Sequence, residues 1–341
     1  MKLLRFLLFP FAVLYDVITT IRNWFFDIGI LKSTSFDIPV IAVGNLSVGG
    51  TGKSPQIEYL IRLLQDDYSI AVLSRGYKRK TKGFQIVNDN HQAIDVGDEP
   101  LQFYKKFRNK ITVAVDANRT NGIQQLLKSK NPAEVVLLDD AFQHRKVKAS
   151  TYILLTKYND LYSDDFMLPT GNLREDRRGA KRADVIIVTK CPEDLSELDQ
   201  KNILKKIKPA KNQQVFFTTI SYNEDLKGES KLSISELKNK EVLLVTGIAN
   251  PKPLLNYLDA KEIKYKHLNY PDHHNFTKDD IDKVVKTKQE LSSSKSIVLT
   301  TEKDFMRLSG KIENLYYISI QSEFLNNSEI FNDFIFSQIK S

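Results

Sequence analysis

The residues best equipped for chemistry lie in one run, Val40-Ile-Ala-Val-Gly-Asn-Leu-Ser-Val-Gly-Gly-Thr-Gly-Lys-Ser-Pro55. The apolar start reads as a strand, the glycines as a turn, and Lys53-Ser54 as the opening of a helix. Pro55 suits the first helical turn, where its missing N–H costs nothing. In such a turn Ser47, Val48, Gly49, Gly50, Thr51 and Gly52 offer backbone N–H groups to phosphate oxygens, Lys53 reaches the outer phosphates, and the Ser54 hydroxyl can bind magnesium. The strict pattern asks for glycine at position 47, where this chain has Ser47. The strand before the loop and the amphipathic helix after it supply the context that a chance match lacks.

Carboxylates follow. Glu134-Val-Val-Leu-Leu-Asp-Asp140 reads as a buried strand ending in Asp139 and Asp140, where a P-loop enzyme sets its magnesium-coordinating acid; the alternative is that these acids cap the next element. Gly97-Asp98-Glu99-Pro100 offers two more acids before a helical stretch, with Asp98 either a base or a helix N-cap. Histidines number five, among them His144 in Asp139-Asp-Ala-Phe-Gln-His144 and the pair His273-His274 after Pro271-Asp272. Metal binding by that pair lacks a third strong ligand nearby in sequence. Basic runs at Arg75–Lys82, Arg145–Lys148 and Arg174–Arg182 fit a solvated face or a phosphorylated or nucleic-acid partner, and charge alone does not separate these.

The elements that must position these groups alternate between strand and helix. Apolar runs at 40–43, 70–73, 111–115, 135–138, 152–155 and 185–188 flank helical stretches such as Ile57, Leu60, Ile61 and Leu64, predicting a parallel sheet covered by helices. The lysine-rich stretch 221–240 is the expected linker or hinge, and runs at 242–245, 297–299 and 315–320 predict a second, smaller α/β domain over 241–341. With 341 residues, 41% of them apolar and 27% charged, the chain has globular composition, which excludes a disordered chain or a polytopic membrane protein. Its net charge of +8 favours anionic partners, and its single cysteine, Cys191, excludes an intrachain disulfide and a cysteine-based zinc site.

The first thirty residues are apolar but interrupted by Arg5, Asp16, Arg22 and Asp27. The uncharged run Phe6–Tyr15 is shorter than the about 20 residues a spanning helix needs. No small-residue cleavage site follows it, which argues against a signal peptide. Two readings stand: a helix packed on the protein's own core, and, preferred, a helix lying in the membrane plane with Trp24, Phe25 and Phe26 at headgroup level and Lys2, Arg5 and Arg22 near anionic lipid.

Taken jointly, the motifs resemble the tetraacyldisaccharide 4'-kinase family. The resemblance is carried by Gly44–Pro55, Ser74-Arg-Gly-Tyr77, Gly97-Asp-Glu-Pro100, Asp139–His144, Leu168-Pro-Thr-Gly-Asn-Leu-Arg-Glu175, Thr246-Gly-Ile-Ala-Asn-Pro251, Pro271-Asp-His-His274 and Thr300-Thr-Glu-Lys-Asp304, which span most of the chain. Ser47 is regular in that family, while Ala141 and Asn172 stand where glycine and proline are expected. The resemblance implies a P-loop domain over 31–220, a hinge at 221–240 and a smaller α/β domain beyond it, with residues 1–30 held peripherally at the cytoplasmic face of the bacterial inner membrane. It implies ATP and Mg2+ as cofactors and an acylated glucosamine disaccharide 1-phosphate as acceptor, phosphorylated at its 4'-hydroxyl to give the lipid A precursor. Asp98 paired with His273 resembles the hydroxyl-activating dyad. Asp139, Asp140 and Glu175 resemble the acids around metal and substrate, with Ser54, Asp139 and Glu175 as metal ligands. Arg119, His144 and Arg174 resemble substrate or phosphate contacts. A P-loop GTPase or metallochaperone is the alternative, but Val188-Thr-Lys-Cys-Pro192 has proline where a guanine-reading N-K-x-D motif needs aspartate. The basic runs lack the interleaved aromatics of a nucleic-acid binder apart from Tyr77, so no nucleic-acid partner is expected, and no obligate protein partner is evident.

Overall fold

In β1 (Val40–Asn45), β2 (Ile70–Ser74), β5 (Val135–Asp139) and β7 (Val185–Thr189) every residue is buried, as befits parallel strands covered on both faces. With β3 (Gln85–Ile86), β4 (Ile111–Val115), β6 (Thr151–Lys157), β8 (Gln214–Tyr222) and, late in the chain, β15 (Ile320–Phe324), they form a sheet of order β15-β8-β7-β6-β1-β5-β2-β4-β3 among the described residues. These observations come from a computed structural model that describes residues 5–272, 274–291 and 296–340. Pairing from β8 through β4 is parallel, and β3 closes the edge antiparallel to β4.

Alternate residues sort to opposite faces. Ile41 and Val43 of β1 pack with Ile57, Leu60, Ile61 and Leu64 of α2 (Lys53–Leu64), and with Phe331 and Ile335 of α9 (Ser328–Lys340). Val40 and Ala42 face Ile123 and Leu126 of α4 (Arg119–Leu127). Farther along the sheet, Ile186 and Val188 meet Ile203 and Ile207 of α5 (Glu197–Ile207) and Ala12 of α1 (Phe9–Asp27). The period-two alternation therefore feeds two cores from one set of strands. A further helix of this unit, α3 (Asp98–Phe107), contributes Leu101, Phe103 and Phe107 to the α2 face.

The chain divides into two compact units, one of residues 1–220 with 322–341, the other of 221–321. In the second unit, β11 (Val242–Thr246), β12 (Tyr265–Asn269), β13 (Ile297–Thr301) and β14 (Leu315–Ile318) are parallel, joined by α6 (Lys252–Ala260), α7 (Lys278–Gln289) and α8 (Glu302–Leu308). Here the structure departs from the expected boundaries twice. Residues 221–240 are not a linker: β9 (Asp225–Gly228) and β10 (Leu232–Ser233) extend the smaller sheet antiparallel, and Leu226, Leu232, Ile234 and Leu237 are buried in its core. Few apolar residues sufficed to anchor a stretch whose polar composition suggested a hinge. Residues 322–341, expected in the second domain, return to the first unit, where Phe331 and Ile335 are fully buried against Tyr59, Phe216 and Phe324.

The apolar N-terminus is one helix whose two faces match the two readings. Phe6–Asp27 is long and apolar enough to cross a membrane by length and composition. One face is nevertheless bound to the first unit along its length. Ala12, Thr19 and Phe26 are buried, the Tyr15 hydroxyl donates to Arg174 O, Asn23 Nδ2 donates to Glu175, and Arg145 bridges to Asp27 at 2.6 Å. Arg5 extends this seam to the carbonyls of Pro169 and Gly171. Val13, Leu14, Val17, Ile18, Ile21 and Trp24 are exposed, each by about half of its surface.

Candidate active site

The glycine loop leaves the C-terminal end of β1 beside β5, whose register sets Val43 against Asp139. Gly49 and Gly52 have φ of +105° and +89°, so a side chain at either would be strained, and Gly52 caps α2 in the left-handed conformation. The loop is braced from several sides. Asn45 Nδ2 donates to Thr51 Oγ1, Thr189 Oγ1 to the Thr51 carbonyl and Lys190 Nζ to the Gly50 carbonyl, each at 2.8 Å. Along its other flank Val48 N bonds Asn172 O and Arg174 N bonds Leu46 O. The Thr189-Lys190 pair, weighed above against a guanine-reading motif, thus supports the loop backbone.

Lys53 Nζ lies 3.6 Å from Asp140, which also accepts from both terminal nitrogens of Arg174 at 3.2 Å. Arg174 reaches on to Asn45 Oδ1 at 2.8 Å. Burial acts to raise the Asp140 carboxyl, but Lys53, Arg174 and Arg119 together hold it below its ordinary range. Asp139 goes the other way. Burial, then the charges of Glu99 and Asp140, push it up to about 7 against the opposing pull of Lys53 and Ser74. Ser74 Oγ donates to Asp139 Oδ2 at 3.0 Å, while Asp139 Oδ1 is buried without a hydrogen-bond partner.

Glu99 reaches this place because α3, which begins at Asp98, is stitched along α2. Ser54 Oγ donates to Glu99 at 2.7 Å, Gln102 Nε2 to Glu58 at 3.2 Å, and Lys106 pairs with the buried Glu58 at 2.7 Å. Contacts at 99, 102 and 106 occupy one face of a helix. Preceding α3, Gly97 at φ +95° abuts Gly76 so closely that a Cβ would lie 3.2 Å from the Gly76 Cα. The two glycines let the Arg75-Gly-Tyr77 turn and the Gly97-Asp98 corner nest together.

Lys53, Ser54, Asp139, Asp140 and Arg174 are thus brought together around the loop. Glu99 is the addition. It stands in the quoted motif, but no spacing rule joins it to a serine 45 residues earlier. Glu175, expected near the metal, sits in another network: its buried carboxylate accepts from Arg182 at 2.8 Å and from Gln143 and Asn23 at 2.9 Å. Arg119 is buried, donates to the carbonyls of Asp116 and Asp139, and is held down to about 10 by burial, with acidic neighbours opposing. His144 is held down to about 4, first by burial and then by Arg119, Lys146, Arg22 and Arg75. His273 lies outside the described residues. Its neighbour His274 is committed to Asp280 at 2.9 Å and stacks on Tyr270. Cys191 is buried and its thiol is pushed up to about 12 by burial, which makes it a poor nucleophile.

A parallel sheet with a glycine turn wrapped onto a helix N-terminus, and an acidic strand end beside it, defines the P-loop NTPase class of fold. Within that class the chain belongs to one family: the family model Tetraacyldisaccharide-1-P 4'-kinase (LpxK) matches residues 4–340. The tetraacyldisaccharide 4'-kinase of Flavobacterium johnsoniae is 56% identical, covering 100% of this chain and 98% of that protein. Its counterpart in Bacteroides thetaiotaomicron is 43% identical over 98% of this chain and 93% of its own length. Among solved structures, LpxK from Aquifex aeolicus in complex with ATP matches with a TM-score of 0.80 and 31% identity, covering 98% of this chain and 99% of that one.

Proposed function

We propose that the chain transfers the terminal phosphoryl group of ATP to the 4'-hydroxyl of an acylated glucosamine disaccharide 1-phosphate, at the cytoplasmic face of the bacterial inner membrane. The observation that carries this reading is the Lys53–Asp140 pair at 3.6 Å at the mouth of the glycine loop, a cation held at the helix N-terminus by an acid it can leave for phosphate. Family membership supplies the acceptor.

In this mechanism the backbone of Ser47–Gly52 surrounds the nucleotide phosphates, and Lys53 exchanges Asp140 for the transferring group. Among the described residues no set of three or more His, Cys, Asp or Glu side chains could hold a metal alone. Magnesium needs no such cage, because it keeps waters and phosphate oxygens in its shell. The Ser54 hydroxyl, the Glu99 carboxylate and the orphaned Asp139 Oδ1 fit it. Bound there, the ion would neutralise the negative charge of the phosphate groups. Asp98, at the start of α3, accepts the proton of the attacking hydroxyl. Arg174 and Arg119 hold the Asp140 and Asp139 strand end in place and supply positive charge there. Glu175 ties α1 to the segment that flanks the loop through Asn23 and Gln143. The outward apolar face of α1 lies on the bilayer while its inner face stays docked, so the helix rests in the interface and does not span it.

Incubation with radiolabelled ATP, magnesium and the disaccharide monophosphate in mixed micelles tests the reading. A labelled bisphosphorylated lipid is expected; consumption of ATP with no lipid product would overturn it.

A further inference from the structure

The corner that follows β7 bears on the glycine loop in a directed way. Thr189, the last residue of β7, is buried, and Lys190 beyond it is exposed at φ +58°. A residue with a Cβ enters that left-handed region at a cost, so the turn is held by its surroundings. The neighbouring strands do the holding. Tyr158 N, just past β6, donates to Thr189 O, and Cys191 N donates to Thr218 O of β8, each at 2.9 Å.

From this fixed corner two side chains reach two successive carbonyls of the loop. Lys190 Nζ donates to Gly50 O and Thr189 Oγ1 to Thr51 O, both at 2.8 Å. In a planar trans peptide the carbonyl and the N–H of the next residue point opposite ways. Drawing the Gly50 and Thr51 carbonyls outward therefore turns the N–H groups of Thr51 and Gly52 inward, to the side that receives phosphate oxygens. Thr51 N–H follows that direction and crosses the loop to Gly49 O at 3.0 Å. The loop leaves β1, and β7 lies two strands away in the sheet, so the outer carbonyl calls for a long donor. A lysine supplies the reach and a charge-assisted bond.

We propose that Lys190 is a positioning residue for the nucleotide: by holding the Gly50 peptide it sets the polarity of the phosphate loop, and so sets how much nucleotide affinity comes from the phosphates. The proposal rests on the nucleotide-binding half of the kinase reading above. In this role Lys190 acts through the peptide it turns and meets no substrate atom. Thr189 does the same for the next peptide. Contact with the transferring phosphoryl group stays with Lys53, which Asp140 holds at the mouth of the loop.

Lys190 is exposed, so Lys190→Met removes the donor and spares the fold. Equilibrium binding in the presence of magnesium compares ADP with adenosine, which keeps base and sugar but has no phosphate, for the wild type, Lys190→Met and Lys190→Arg. The wild type is expected to prefer ADP. Lys190→Met should lower that preference by about tenfold or more, in line with one lost charge-assisted hydrogen bond, and leave adenosine binding unchanged. Lys190→Arg keeps a cationic donor and should recover most of the preference. In turnover, Lys190→Met should raise the KM for ATP by about tenfold with the KM for the acceptor lipid unchanged. A fall in kcat with both KM values unchanged would mean fewer folded molecules and overturns the proposal. An unchanged ADP preference, an equal loss for ADP and adenosine, or no recovery by arginine overturns it too. Salt separates a bond from a field, because an exposed ammonium acting at a distance is screened at about 0.5 M KCl. The defect of Lys190→Met should persist there; its disappearance overturns the clamp. The two readings fail separately. An ADP preference that Lys190→Met loses, in a protein that yields no phosphorylated lipid, overturns the kinase reading and upholds the clamp. Phosphorylated lipid with the ADP preference intact in Lys190→Met does the reverse.

Discussion

Lys53, Asp140, Arg174 and Asn45 form a chain of charge-assisted bonds in which each member holds the next, and removing the first should cost chemistry more than structure. Lys53→Ala is expected to lower turnover by about 10²- to 10³-fold with an unchanged circular dichroism melt, because the lysine acts on transferring charge. Asp98→Ala should lower kcat by about 10²- to 10⁴-fold while nucleotide affinity measured by calorimetry stays near wild type. Asp139 gives a pH signature. Its folded-state value near 7 exceeds the about 3.9 of an unfolded aspartate, so between these values the folded state binds the extra proton and stability falls as pH rises. Since His144, held down to about 4, contributes the opposite slope in the same range, the Asp139 contribution is read as a difference: in magnesium-free protein the stability of wild type minus that of Asp139→Asn should fall from about pH 4 to pH 7, and the variant should lose activity. Parallel stability profiles for the wild type and Asp139→Asn would contradict the burial and like-charge argument. At this scale much was legible in advance. Lys53, Ser54, Asp139 and Asp140 stand in local motifs, whereas Glu99 joins Ser54 only through the packing of α3 on α2.

The elements show why that packing is strict. Gly76 and Gly97 touch at backbone distance, so Gly97→Ala pushes the start of α3 away from the loop after β2. The expected result is a fall in kcat of at least tenfold with Asp98 and Glu99 both present, measured beside a fold control by near-ultraviolet dichroism. The α1 helix carries two separable functions on its two faces. Replacing Ile18, Ile21 and Trp24 by serine should release the protein from vesicles by about a hundredfold or more in partition, since each side chain loses roughly 1.5–3 kcal/mol of apolar burial. The seam through Tyr15, Asn23 and Asp27 should survive, and the melt should not move. The sequence offered both readings of this helix and favoured the membrane-plane one; it did not show that one face is docked on the first unit, because an apolar residue looks the same whether protein or lipid covers it.

At the scale of the molecule, the chain leaves its first unit after residue 220 and returns at 322. The last helix therefore belongs to the nucleotide-loop unit, with Phe331 and Ile335 fully buried in its core. Phe331→Ala is expected to destabilise that unit by about 3–5 kcal/mol, and limited proteolysis should then cut within 31–220 before it cuts within 241–318. The stretch 221–240 should stay protected, since Leu226, Ile234 and Leu237 anchor it.

The sequence by itself determined the parallel α/β architecture, the phosphate loop and the acidic strand end. Each rests on short-range pattern: strand runs, a glycine turn, a lysine at a helix start. Family membership followed from the same motifs taken in order. Tertiary structure alone decided the partnership of Ser54 with Glu99, the diversion of Glu175 to Arg182, Gln143 and Asn23, and the return of the C-terminal helix. These depend on which surfaces bury each other across long stretches of chain, and apolar burial is non-directional, so local pattern leaves the choice of partner open.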